Sequence, residues 1–506
     1  MKFAITLFSA FMFFLVTKGQ PAARAEKNKS DHSFNLAIQI ISDHPLKDSL
    51  TIIFSRNETF TGAFYDGAYC VTPLNGTIPF EMHVKEVHYI GRLTLYSREI
   101  NNSYLPVNQM VEPGDNIKIE IRVKEDGTST IEFSGHGSSK YSLGKMAEGV
   151  SLAKKDLRLQ AALRKKSTAQ VVMQYDSLLT EHINLLNAFR NQLSPQVYEV
   201  WKADAIGETR NQQLRVLSLA YSTSDSVNKQ KWKKEIDRLL EKSKVALRAR
   251  SVGLSGSFIA WEYEKTKWSL VYERNKNYKP REFASNNDSF GFADLYKKLK
   301  SNYAGPLREN LLVYGLLNSH DINIFFGGCA PEEFTWCLKD AAQLIKSHGL
   351  KSLVREKLEK FGRGAPVFNF QLTDASGGIV RASDFKGKTM LVEIWSIECS
   401  ACHDFVKEFE RKIYPRIKDR NDINVVSFCT ETDKALWLKG TKKYSLPGFI
   451  NLYSEKGPRD PFTEYYSLSY YPFILLVDES GRIISSTVQN CDKLIELLRQ
   501  TFKLSN

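Results

Sequence analysis

Long apolar runs and abundant cysteines are both missing from this sequence. The apolar stretch near the start, Phe3 to Val16, is shorter than the roughly 20 residues that a membrane-spanning helix needs, and no later stretch is longer and comparably apolar. The 7 cysteines among 506 residues exclude a small disulfide-rich framework. None of them lies near the end of the apolar start, so we expect no lipoprotein anchor.

The first residues instead have the pattern of a secretory signal peptide. Lys2 precedes the apolar run, and the small residues Ala23 and Ala25 follow it. This pattern predicts a signal peptide over residues 1–25, and an uncleaved N-terminal anchor is the alternative. We therefore expect an exported, soluble protein in the periplasm of a Gram-negative bacterium.

The charge is basic and unevenly distributed. The formal net charge is +13, and residues 141–280 hold 25 Lys/Arg against 14 Asp/Glu, which accounts for most of this excess. A basic region of this kind can bind nucleic acid or another anionic surface. Because both signs of charge are mixed throughout it, we favour a solvated helical exterior and expect no nucleic-acid partner.

Hydrophobic patterning divides the rest of the chain into three regions. Residues 33–136 contain short alternating or β-branched runs, which predict an all-β, sandwich-like domain with a hairpin tip at Asp126-Gly127. Residues 141–360 change to helical spacing. After the breaking sequence Gly362 to Pro366, residues 364–506 alternate strands and helices, which predicts an α/β domain with a mixed sheet.

Two features of the helical region lead to specific expectations. Cys329 and Cys337 are spaced neither as a C-x-x-C pair nor as a zinc knuckle, so we expect free or structural cysteines, with pairing left as an alternative. One helix is predicted to bury the following apolar face: Val172, Tyr175, Leu178, Leu179, Ile183 and Leu186.

The stretch "ECSACH" allows two interpretations. Cys399 and Cys402 form a C-x-x-C redox motif, and His403 extends it to the C-x-x-C-H pattern of haem attachment. A haem site usually needs a helical setting and an axial ligand. This motif instead joins a predicted strand to a predicted amphipathic helix, so we expect no haem and no other cofactor or metal. The apolar face of that helix is predicted to comprise Phe405, Phe409, Ile413 and Ile417.

The predicted setting distinguishes the two cysteines. Cys399 falls at a helix N-terminus, where free N–H groups and the helix dipole stabilise a thiolate, and Cys402 lies one turn later. Glu393 lies on the apolar strand and is predicted to exchange a proton with Cys402, although a carboxyl at a strand edge or paired with lysine is the alternative. A cis Tyr471–Pro472 bond before the next predicted strand would present a backbone edge beside the cysteines.

Residues 364–506 resemble the thioredoxin-like domain of the TlpA/ResA group of exported thiol–disulfide oxidoreductases. The resemblance implies that Cys399 is the attacking thiol, that Cys402 is the resolving thiol, and that Pro472 is a cis-proline that helps to hold the client. A weaker resemblance links the N-terminal regions to longer proteins of this group. The stretches that match, in order, are "GAPVFNFQLTDASGGIVRASDFKGK", "MLVEIWSIECSAC", "WLKGTKKYSLPGFINLY" and "YSLSYYPFILLVDESGRI".

Several residues depart from the pattern of the group. Glu398 replaces the tryptophan that usually precedes the first cysteine, and its charge should disfavour the thiolate, which is our reason to hypothesise a more reducing pair. Tyr470 replaces a small glycine, and the neighbouring rings are expected to narrow the client groove or to contact the client. We predict Tyr471 and Trp395 as client-binding residues. His403 is predicted to be an exposed side chain in the first helical turn.

These features predict an enzyme that exchanges electrons with client disulfides through the Cys399/Cys402 dithiol and a mixed-disulfide intermediate. The expected partners are client proteins with disulfides or thiols, and a membrane-embedded or soluble redox partner. The alternative is an interaction or scaffold protein whose thioredoxin-like domain is mainly a binding module, since the two N-terminal regions make up most of the chain. The direction of electron flow is left open.

Overall fold

The structure is a computed structural model, and the chain divides into two units, residues 1–261 and 262–506. The predicted signal peptide, residues 1–25, lies outside the described residues. Within the described part of the chain, no helix has both the length and the apolar character needed to cross a membrane. The structure describes residues 33–44, 50–55, 67–71, 77–84, 91–96, 109–126, 128–144, 146–147, 150, 167–224, 226–242, 252–274, 291–318, 321–326, 328–468, 470–488 and 490–502.

The first unit begins with β structure. Over the described residues between 33 and 136 the strands are β1 (Phe34–Ser42), β2 (Leu50–Ser55), β3 (Gly67–Val71), β4 (Thr77–Val84), β5 (Gly91–Tyr96), β6 (Gln109–Val111), β7 (Asn116–Val123) and β8 (Ser129–His136). They form two four-stranded sheets with the orders β4-β1-β7-β8 and β3-β2-β5-β6. Strands β7 and β8 pair antiparallel around the predicted hairpin, whose Gly127 lies outside the described residues. Alternate residues of β1 and β7 are buried, and Ile52 and Leu93 of the second sheet belong to the same buried cluster.

Helices follow in the same unit. They are α1 (Thr168–Ala188), α2 (Pro195–Thr223), α3 (Ser226–Lys242) and α4 (Gly256–Arg274), the last of which spans the division between the units. Tyr175 and Leu186 of the predicted apolar face of α1 are buried as expected, but Val171 is buried where we expected Val172. His182 is buried where we expected Ile183, and its ring packs edge-on against Trp201 of α2 with centroids 6.5 Å apart. The contact with Trp201 of α2 therefore accounts for the burial of His182 in the core.

The second unit continues with helices before the predicted boundary. They are α5 (Phe292–Asn302), α6 (Gly305–Leu317), a π-helical turn (Asp321–Phe325), α7 (Pro331–Leu344) and α8 (His348–Phe361). Cys329 and Cys337 are both free and buried, so the pairing that the sequence left open is not formed. Burial raises the pKa of Cys329 to about 12, which leaves it a protonated and unreactive thiol near neutral pH.

A mixed seven-stranded sheet forms the rest of this unit. Its strands are β9 (Gln371–Thr373), β10 (Ile379–Arg381), β11 (Thr389–Trp395), β12 (Ile423–Cys429), β13 (Ile450–Tyr453), β14 (Phe473–Val477) and β15 (Ile483–Ser485), in the order β10-β9-β13-β12-β11-β14-β15. Strand β11 pairs parallel with β12 and antiparallel with β14, so the mixed sheet is as predicted. Every residue of β11 is buried, which explains why its sequence is apolar except at Thr389 and Glu393.

Helices cover this sheet. They are α9 (Ser400–Lys412), α10 (Tyr414–Ile417), α11 (Lys434–Tyr444), α12 (Pro461–Tyr465) and α13 (Cys491–Phe502). The apolar face predicted after the cysteine motif is buried, and it shares one cluster with Leu494 and Leu498 of α13. This packing holds the first turn of α9 at the end of the central strand.

Candidate redox site

Cys399 and Cys402 form a disulfide at the junction between the central strand and helix α9. Strand β11 ends at Trp395 and α9 begins at Ser400, so Cys399 is the N-cap residue of the helix. The Sγ atom of Cys399 accepts a hydrogen bond from the backbone N–H of Cys402 at 3.1 Å. In the reduced protein the same N–H and the helix dipole are placed to stabilise a thiolate on Cys399.

The two sulfur atoms differ in accessibility. Cys402 is 1% exposed, whereas Cys399 is half-buried and is followed by the exposed residues Ser400 and Ala401. An approaching disulfide therefore meets Cys399 first. This asymmetry supports the predicted order of attack and resolution, which itself stays a prediction.

Aromatic residues surround the buried sulfur. Cys402 lies in a cluster with Trp395, Cys429, Trp437 and Tyr453, in which the rings of Trp437 and Tyr453 stack with centroids 5.0 Å apart. Trp395 is only 3% exposed within this cluster, and its contact with a client stays a prediction.

Glu393 is buried in the middle of the sheet. It lies on β11 between Ser427 of β12 and Ile474 of β14, and it is 3% exposed. The hydroxyl of Ser427 donates to Oε2 at 3.5 Å, and Oε1 has no hydrogen-bond partner among the described residues. Since β11 is a central strand, the strand-edge alternative is wrong.

The environment of Glu393 changes its acidity. Burial raises the pKa of the Glu393 carboxyl to about 8, and the hydrogen bond from Ser427 opposes this effect only in part. The carboxyl is therefore mostly protonated at neutral pH, and it can release or accept a proton near the pH at which thiols ionise. A group of this kind is suited to proton exchange in a site that excludes water.

The loop that precedes β14 faces the accessible sulfur, Sγ of Cys399. The Tyr471–Pro472 peptide bond is cis, as the sequence predicts. The carbonyl oxygen of Tyr471 lies 3.6 Å from Sγ of Cys399. Pro472 is buried, and Tyr471 is half-buried against the cluster around Cys402. A backbone edge thus lies beside Cys399, and the contact of these two residues with a client stays a prediction.

Two aromatic residues beside the site, Tyr444 and Trp437, were not found from the sequence. The ring of His403 stacks on Tyr444 with centroids 3.6 Å apart. His403 is therefore half-buried, and the prediction of an exposed histidine is wrong. Helix α11 brings Tyr444 and Trp437 to the site. Both residues stand in "WLKGTKKY", which belongs to a stretch that matches the family. Their contacts could not be read from spacing because most of α9, then α10 and β12, lie between them and the cysteines in the chain.

Part of the chain is similar in sequence to known thiol–disulfide oxidoreductases. The chain is 28% identical over 147 residues to the thiol–disulfide oxidoreductase ResA of Bacillus thuringiensis subsp. konkukian, which covers 29% of this chain and 80% of that protein. It is 24% identical over 139 residues to ResA of Bacillus anthracis, covering 26% and 72%. No family model matches. The relatives confirm the resemblance to the ResA group, over about 28% of the chain, and the predicted class of thioredoxin-like oxidoreductase.

Solved structures resemble the chain over a similar share of its length. The thioredoxin domain of a thiol–disulfide oxidoreductase from Bacteroides vulgatus is 23% identical with a TM-score of 0.26, and the likeness covers 28% of this chain and 99% of that chain. A thiol:disulfide interchange protein from Bacteroides sp. is 24% identical with a TM-score of 0.26, covering 29% and 93%. Each likeness extends over less than a third of the chain.

Proposed function

We propose that this protein exchanges electrons with the disulfides of client proteins through the dithiol of Cys399 and Cys402. The observation that carries the proposal is the disulfide at the start of α9, in which Cys399 is accessible and Cys402 is buried. The carbonyl oxygen of Tyr471 beside Cys399 adds a backbone edge to which a client strand can pair.

The proposed reaction proceeds in two exchanges, written here in the reducing direction. The thiolate of Cys399 attacks one sulfur of the client disulfide, so that a mixed disulfide forms and the other client sulfur leaves as a thiolate and takes up a proton. Cys402 then loses its proton and attacks Sγ of Cys399. The internal disulfide forms, and the second client thiol is released. The client gains two electrons and two protons, and a redox partner restores the dithiol. The reverse sequence oxidises client thiols.

We assign Glu393 to the proton transfer at Cys402. The thiol of Cys402 is almost fully buried, so its proton has no direct path to water. The carboxyl of Glu393 interacts electrostatically with Cys429, which belongs to the same buried cluster as Cys402. With its pKa near 8, Glu393 can accept the proton as Cys402 attacks and return it when the disulfide opens.

The proposal includes a location and partners. The signal peptide predicted over residues 1–25 supports export, and we propose the periplasm of a Gram-negative bacterium as the compartment. Tyr471 and Pro472 are the proposed client contacts, and a membrane-embedded or soluble protein is the proposed redox partner. We also propose a sandwich-like arrangement of residues 33–136, because one buried cluster contains residues of both sheets.

Trapping of mixed disulfides tests the proposal. Full-length Cys402→Ala keeps the attacking thiol but lacks the resolving one, so covalent complexes with exported proteins should accumulate and should be released by reductant. Mass spectrometry should locate each link at Cys399. Cys399→Ala, the matched control, should form none of them. A folded Cys402→Ala variant that traps nothing, together with full biological activity of Cys399→Ala, would favour the alternative of a binding or scaffold protein.

A further inference from the structure

A short segment of the helical region lies against the redox domain, residues 364–506. This docking segment comprises residues 321–326 and 328–330, between α6 and α7. The hydroxyl of Thr487 donates to the carbonyl oxygen of Cys329 at 2.7 Å, and the N–H of Cys329 donates to the carbonyl oxygen of Thr487 at 3.3 Å. The ammonium of Lys493 donates to the carbonyl oxygen of Phe326 at 3.0 Å. These bonds hold the segment to the chain after β15 and to α13.

Gly328 allows this close approach. Its φ is +101°, and a Cβ atom at this position would lie 2.4 Å from the carbonyl oxygen of Thr487. A side chain would therefore be disfavoured both by the backbone conformation and by a direct clash. The sequence at this position fits a segment whose backbone lies directly on the redox domain.

The beginning of the docking segment is fixed from the opposite side. Asp321 accepts a hydrogen bond from the ammonium of Lys267 at 2.8 Å, and both residues are buried. Lys267 also pairs with Glu264 at 2.7 Å, and its ammonium lies 4.5 Å from the centroid of the Phe325 ring. Removal of one partner would leave an uncompensated buried charge, which is strongly destabilising. The ion pair therefore ties the start of the π-helical turn to Lys267 of α4.

The middle of the turn reaches the loop at the redox site. Asn323 is 4% exposed, and its side-chain amide donates a hydrogen bond to the phenolic oxygen of Tyr470. The ring of Tyr470 also packs edge-on against Phe473. Burial raises the pKa of Tyr470 to about 12, while the hydrogen bond from Asn323 lowers it, so the phenol stays neutral at physiological pH. The next residue, Tyr471, places its carbonyl oxygen 3.6 Å from the sulfur of Cys399.

We infer that Asn323 is a positioning residue for the client-binding loop, residues 470–472. Asn323 lies outside the thioredoxin-like domain and holds this loop through its hydrogen bond to Tyr470. This inference rests on the proposed function, in which the backbone at Tyr471 and Pro472 meets the client. It gives the helical region a defined part in the reaction. It also explains why a tyrosine replaces the small glycine of the related proteins, since a glycine has no side chain to reach Asn323.

Two single variants and their combination test the inference in the full-length protein. Asn323→Ala removes the donor, Tyr470→Phe removes only the acceptor, and Asn302→Ala alters an exposed asparagine of α5 as the matched control. The probes are insulin, a protein disulfide that needs the loop, and hydroxyethyl disulfide, a small one that does not. The loss of one hydrogen bond should lower kcat/KM for insulin by about fivefold. Turnover of hydroxyethyl disulfide and the reduction potential should not change, and the double variant should be no worse than either single one.

Other results would overturn the inference. Unchanged activity of Asn323→Ala toward insulin would do so, as would losses that add up in the double variant. Equal losses with both disulfides and a shifted potential would show a general structural defect instead of loop positioning. If the unsubstituted protein reduces neither disulfide, the proposed function fails first. Hydrogen exchange of the Tyr470 and Tyr471 amides then decides the positioning role, because exchange that is not faster in Asn323→Ala contradicts it in any case.

Discussion

Replacement of Glu393 by glutamine removes a buried titratable carboxyl group and keeps nearly the same side-chain shape. In the folded protein, burial raises the pKa of this carboxyl to about 8, from an ordinary value of 4.5. Below about pH 4.5 the carboxyl is protonated in both the folded and the unfolded state, so its full contribution to stability is present there. Above that pH the unfolded chain loses the proton first, and stability falls until the pH passes the pKa of the folded state.

The magnitude follows from the two pKa values. Each pH unit between them corresponds to about 1.36 kcal/mol. From pH 5 to pH 7 the carboxyl should therefore lower the stability of the surrounding strands by roughly 2 to 3 kcal/mol, after allowance for partial ionisation of the unfolded state at pH 5. Glutamine does not titrate, so the Glu393→Gln variant should lack this part of the pH dependence. Any constant effect of the amide is the same at both pH values and cancels in the comparison.

Hydrogen exchange of the β11 amides in the oxidised full-length protein measures this quantity, after correction for the intrinsic effect of pH on exchange. The opening free energy of Glu393→Gln, relative to the unsubstituted protein, should rise by roughly 2 to 3 kcal/mol from pH 5 to pH 7. Glu398→Gln is the matched control, because Glu398 is exposed and its substitution should leave the opening of β11 unchanged. The same difference for Glu393→Gln at both pH values would refute a raised pKa and the role in proton transfer.

Two further predictions concern the cysteines and the docking segment. In the reduced protein, iodoacetamide should modify Cys399 at least tenfold faster than Cys402, because Cys399 is accessible and lies at the helix N-terminus; peptide mass spectrometry would contradict this if Cys402 reacted first. Gly328→Ala should lower the melting temperature measured by calorimetry more than Gly364→Ala. Both glycines have a positive φ, but only the first would clash with Thr487. Equal shifts would contradict the close contact.

Much of the redox domain can be predicted because its signals are local. Strand β11 is apolar except at Thr389 and Glu393, α9 has apolar residues at helical spacing, and the cysteine motif lies between them. Each of these three features depends on a few neighbouring residues, so periodicity and residue type identify it. The cis bond at Tyr471 is different, because it was the resemblance to the TlpA/ResA group that implied a cis-proline at Pro472.

The errors arise where distant residues decide the outcome. In α1, Val171 and His182 are buried where we expected Val172 and Ile183, because contacts with α2, and not the periodicity alone, decide which side chains are covered. The stack of His403 on Tyr444 and the bond from Asn323 to Tyr470 join segments far apart in the chain, for which one sequence carries no signal.

The central claim is that Cys399 and Cys402 exchange electrons with protein disulfides, and catalysis of the reduction of insulin by dithiothreitol tests it most directly. We predict that the full-length protein accelerates this reduction, that Cys399→Ala abolishes the acceleration, and that Glu398→Gln, which leaves both thiols in place, retains it. Acceleration that persists at the same rate in Cys399→Ala would contradict the claim.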